Sequence, residues 1–171
     1  GIIVFLFLLA IFDLVVGVSN DAVNFLNSAV GSKAASFKTI MIIAAIGIFF
    51  GATLSNGMME IARHGIFRPE QFYFQELMCI FLAVMVTDVV LLDIFNTLGM
   101  PTSTTVSMVF ELLGGTFVLA LIKIAVDETG LLGFDDLLNT EKALSVILGI
   151  FLSVAIAFFF GTLVQYLSRL I

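Results

Sequence analysis

Between Gly17 and Gly31, an otherwise apolar run holds a carboxylate, three amides and a hydroxyl: Asp21, Asn20, Asn24, Asn27 and Ser28. On a helix Asn20, Asn24 and Asn27 fall at i, i+4 and i+7, and Asp21 and Ser28 also lie seven apart, so these side chains form one stripe turned away from lipid. Hard cations such as sodium are held by carboxylate, amide and hydroxyl oxygens, joined by backbone carbonyls where a helix unwinds. Gly17 and Gly31 are the expected points of unwinding. A second polar island, Gly99, Pro101, Thr102, Ser103, Thr104 and Thr105, carries the residues that break helices, followed by hydroxyls. A helix that starts after Pro101 leaves free N–H groups at its N-terminus, and the hydroxyls of Ser103, Thr104 and Thr105 add donors, a combination that favours an anion. Neither island contains Arg, and the nearest Lys is Lys33, so an anion here would sit beside Asp21 without a fixed basic partner. A co-bound cation, or a proton on Asp21, removes that repulsion, and the two islands together predict coupled cation and anion binding.

The elements that must position these groups are membrane helices. Hydrophobic residues make up 61% of the 171-residue chain and charged residues 12%, and the mean hydropathy is +1.21. A water-soluble globule of this composition would lack the polar surface to cover itself. Crossing about 30 Å of hydrocarbon takes roughly 20 residues, and the runs 39–61, 76–95 and 143–167 meet that length. The runs 1–16, which holds Asp13, and 102–126, which holds Glu111, read as broken or re-entrant helices. The expected fold is all-α, a polytopic transmembrane bundle forming one domain over residues 1–171 without a linker. The chain opens inside a hydrophobic segment with no initiator Met, basic leader or cleavage site, which reads as a fragment of a longer protein.

Other polar residues carry less. The loop 63–71 mixes basic and aromatic residues and suits the membrane interface, with His64 at headgroup level. The loop 127–141, where Asp127, Glu128, Asp135, Asp136 and Glu141 cluster, reads as an aqueous excursion, and the chain's net charge of −6 gives no surface for nucleic acid. Lys33 and Lys38 on one side balance Arg63 and Arg68 on the other, so loop charge does not orient the chain. Cys79 lies in an apolar run, where it reads as a packing residue, and one cysteine cannot form a disulfide within the chain. Among the intramembrane acids, Asp13 reads as structural, Asp88 and Asp93 as equally suited to the interface, and Glu111 as deep enough for a functional role.

The residues also carry a resemblance. Phe12-Asp13, Gly17, Asn20-Asp21, Asn24, Ser28 and Gly31-Ser32-Lys33 resemble the first signature of the inorganic phosphate transporter (PiT) family, and Gly99, Pro101 and Ser103-Thr104-Thr105 resemble its second, in the same order. The resemblance covers most of residues 11–115. It implies a secondary transporter of two inverted repeats, each with one copy of both signatures, with phosphate bound between the repeats and driven by sodium or protons. It further implies that Asp21, Asn24, Ser28, Ser103, Thr104 and Thr105 contact phosphate and that Asn20, Asp21, Asn24 and Thr104 hold sodium. No organic cofactor and no enzyme activity are implied, and the chain is expected in the cell (inner) membrane as a multi-pass protein. Three departures stand out. Val106 occupies the place where the family commonly has His, one extra residue separates Gly17 from Asn20, and Ile48 aligns near a position that often carries Glu or Asn. The loss of that His favours sodium over protons. Each signature occurs once, so the chain reads as half of a transporter, completed by a second repeat or by a second copy of the chain.

Three other readings stand beside sodium-coupled phosphate transport: a proton-coupled or sulfate-type oxyanion permease, a membrane scaffold that binds the ion without moving it, and an intramembrane enzyme using Asp88 and Asp93. The last is disfavoured because residues five apart do not share a helical face.

Overall fold

The structure, a computed structural model, describes residues 1–55, 60, 65–128 and 130–170. Among the described residues it is all-α: α1 (Ile2–Gly31), α2 (Phe37–Leu54), α3 (Phe74–Leu98), α4 (Thr104–Val126), a four-residue turn α5 (Phe134–Leu137) and α6 (Thr140–Ser168). All except α5 are long and apolar enough to cross a membrane, so the protein is an integral, multi-pass membrane protein. The runs expected at 76–95 and 143–167 are the centres of α3 and α6. The run expected to reach residue 61 is helical as α2 only to Leu54, and both Ile61 and His64 lie outside the described residues.

One expected break is absent and the other is shorter than expected. The segment 1–16 and the polar stripe form one helix of 30 residues that passes through Gly17 without unwinding. A glycine inside a helix costs about 1 kcal/mol relative to alanine, whereas each backbone group freed in hydrocarbon costs several, and α1 contains no proline to force the issue. The second island is a true break, but it is confined to residues 99–103, and α4 beyond it is a full helix of 23 residues. Gly99 closes α3 in the left-handed region at φ 67°, where it gives the backbone N–H of Met100 access to the Phe95 carbonyl at 2.9 Å.

α3 is the central helix, packed against both α1 and α4. At the end remote from the polar islands, Ile66, Phe67, Phe72, Ile80, Leu137 and Leu138 belong to one buried cluster. The two loops there are stitched together: the Arg68 N–H donates to the Leu137 carbonyl and the Asn139 N–H to the Ile66 carbonyl, each at 3.0 Å. The acidic loop is thus not a free excursion into water, because its leucines fold back into the core. Lys123, near the end of α4, donates to the Gln71 carbonyl and to Glu76 Oε2, both at 2.9 Å, and lies over the rings of Phe72 and Tyr73. Cys79 is exposed, contrary to its reading as a packing residue, and lines an apolar groove between α3 and α4. The outermost helices bury little within the chain, α2 only Ile40 and α6 only Ala143, and their apolar faces are available to lipid or to further helices.

Candidate functional site

The stripe on α1 faces the break between α3 and α4. Thr102, at the bottom of the break, has no helical partner for its peptide groups, and α1 supplies both: the Thr102 N–H donates to Asn20 Oδ1 at 2.8 Å, and Asn24 Nδ2 donates to the Thr102 carbonyl at 2.9 Å. A break in a membrane helix hairpin needs such partners wherever water does not reach it. Asn20 is only 2% exposed, and its second amide atom is also used, Nδ2 donating to Asn96 Oδ1 at 2.8 Å. Asn96 in turn donates to the Val16 carbonyl at 3.3 Å.

At the first residue of α4, Thr104 Oγ1 donates to Asp21 Oδ2 at 2.7 Å, a short bond of the charge-assisted kind. Ser103 is the N-cap of α4, where its hydroxyl accepts a long bond of 3.4 Å from the Val106 N–H. The start of α4 packs against α1 at Gly17: a Cβ there would lie 3.4 Å from Thr104 Cγ2 and 3.7 Å from Leu92 Cδ1. Those are ordinary contacts, so Gly17→Ala is expected to keep uptake within about twofold, whereas Gly17→Leu must push α4 aside at a cost of about 1–3 kcal/mol. The measurement is transport at matched membrane abundance; full activity of Gly17→Leu would show that the close approach is dispensable.

Of the residues expected at the site, Asn20, Asp21, Asn24 and Thr104 meet across the α1–α4 junction. Ser28 and Thr105 are exposed and lie outside this hydrogen-bonded set, and Ser103 is turned to capping its own helix. Asn24, Ser103 and Thr105 are exposed while Asp21 is half-buried, so the junction is open on one side. By rise along α1, Asn24 and Asn20 lie about 10 and 16 Å inward from Gly31. A carboxylate, two amides and a helix N-terminus therefore meet where two helices long and apolar enough to cross a membrane touch.

The sequence profile of the phosphate transporter family matches residues 17–171. The chain belongs to the phosphate transporter family. No curated protein and no solved structure gives a significant match. The family match begins at Gly17, where the start of α4 packs against α1, and it includes both polar islands.

Two features of the site were not anticipated from the sequence. Asn96 joins the network from α3, and its only signal is an amide in an apolar helix three residues before Gly99. Asp88, read as equally suited to the interface, is 3% exposed and accepts from Ser107 Oγ at 2.8 Å, whereas Asp93 is exposed.

Proposed function

We propose that this chain is one repeat of a sodium-coupled symporter that carries inorganic phosphate across the cell membrane. The observation that carries the reading is the Asp21–Thr104 contact, which puts the carboxylate of α1 directly against the N-terminus of α4. Asn20, Asp21, Asn24 and the Thr104 hydroxyl are the sodium ligands in this reading. Phosphate takes its donors from the start of α4 (Ser103, Thr104 and Thr105) and from Asn24 and Ser28, with Asp21 accepting from a protonated phosphate oxygen. An anion next to Asp21 without a basic side chain is tolerable only with the cation present, which makes binding of the two ions interdependent. Phosphate can donate hydrogen bonds near neutral pH and sulfate cannot, so an acceptor carboxylate favours phosphate. The open side of the junction is the place for a second repeat, or a second copy of the chain, to close the site.

The test is uptake of labelled phosphate by proteoliposomes holding the full-length protein, with and without an inward sodium gradient, at two pH values and with sulfate as competitor. Sodium-dependent uptake that sulfate leaves intact is the expected result. Uptake driven by a pH gradient alone would replace sodium by protons, competition by sulfate would widen the cargo to oxyanions in general, and binding without uptake would make the chain a scaffold.

A further inference from the structure

A second polar layer lies deeper in the bundle, built from residues that the phosphate reading does not use. Asp13 precedes Asn20 by seven residues on α1, Asp88 precedes Asn96 by eight on α3, and Glu111 follows Ser103 by eight on α4. Each step is about 10–12 Å of helix, so the three carboxyl groups share one level below the junction. Asp13 and Asp88 line a partly open cavity of about 200 Å³ together with Phe81, Val84, Met108 and Leu112. Asp13 Oδ1 and Glu111 Oε2 are fully buried oxygens with no hydrogen-bond partner. No Lys, Arg or His lines this cavity or the groove beside Glu111.

Ser107 stands between two of the carboxyl groups. Its Oγ lies 2.8 Å from Asp88 Oδ1 and 2.8 Å from Glu111 Oε1. A hydroxyl has one hydrogen, so it can donate to only one of these oxygens, and the other short contact needs a proton on the carboxyl group. Three ionised carboxylates in an apolar layer without a counter-charge would be prohibitively costly. A carboxyl proton supplies that neutralisation from within the layer and satisfies the second short contact of Ser107.

We propose that Asp13, Asp88 and Glu111, the last two bridged by Ser107 and the first two lining one cavity, form a proton-binding site separate from the Asn20–Thr104 junction, holding at least one carboxyl proton at neutral pH. The groups facing it are Asp13 from α1, Asp88 from α3 and Glu111 from α4, all acidic, so each proton lost adds a charge that nothing opposite compensates. The proton thereby ties α3 to α4 beneath the cargo site and relieves their repulsion with Asp13 of α1, and alkaline conditions loosen that packing.

Infrared difference spectroscopy of the full-length protein in lipid, titrated from neutral to alkaline pH, reads the proton directly. The expected result is a protonated-carboxyl C=O band at neutral pH that disappears on titration, survives saturating sodium chloride, and falls by half or more in Glu111→Gln or Asp88→Asn. Should those variants not fold, carboxyl-¹³C labelling of Asp or of Glu in the wild-type protein assigns the band by its shift. No protonated-carboxyl band at neutral pH, a band unmoved by the variants or by either label, or loss of the band on adding sodium at constant pH would each overturn the proposal. Because this measurement needs no transport, its outcome is independent of whether phosphate is the cargo.

Discussion

Asp21→Asn in the full-length protein is expected to reduce sodium-dependent phosphate uptake about 100-fold or to background, with normal abundance in the membrane. The substitution keeps the size of the side chain and an oxygen that can still accept from Thr104, so the α1–α4 contact survives. What it removes is the only formal charge at the junction. Hydrogen bonds to charged groups are worth about 1.5–3 kcal/mol, and about 2.7 kcal/mol corresponds to a 100-fold change in occupancy. Thr104→Ala approaches the same contact from the other side, leaving the carboxylate but removing its hydroxyl partner, and is expected to be similarly severe. The measurement is initial uptake rate against sodium concentration at matched abundance. Normal uptake in both variants would sink the reading of this junction as the coupling site.

Asn20→Leu is expected to act through the fold. The leucine fills a comparable volume, but it leaves the half-buried Thr102 N–H without its acceptor, whereas Asn96, which is exposed, can replace its lost donor. One unsatisfied group costs about 1–3 kcal/mol, so a loss of that size is expected, visible as a fall in the thermal unfolding midpoint together with loss of uptake. Asn20→Asp keeps the acceptor for Thr102 and should be the milder change in unfolding, since the Asn96 amide can turn its nitrogen toward the new oxygen. If Asn20→Leu unfolded at the wild-type temperature, the side chain would not be holding the break together, and its burial would need another explanation.

Much of the site was legible in the sequence because amides and a carboxylate inside an apolar run have few alternatives to facing one another. The spacing of Asn20, Asp21 and Asn24 placed them on one face, and the Gly99–Pro101 break supplied a backbone in need of partners. The continuity of α1 was not legible, since glycine marks both helix breaks and close helix approaches, and only the position of Thr104 against Gly17 distinguishes them. Asp88 was missed because an acidic residue in an apolar helix looks interfacial until the neighbouring helices show that it is enclosed, and Asn96 because a single amide near a helix end gives no sign of its partner on α1. The extra contacts of the acidic loop could not be read either, because its charged residues conceal two leucines that close the core.

Both peptide groups of Thr102 are satisfied by side chains that precede it by 82 and 78 residues. The order of elements along the chain therefore carries a meaning for biogenesis. α1 leaves the ribosome before the α3–α4 hairpin, so the amides that satisfy the broken backbone are synthesised before the break that uses them.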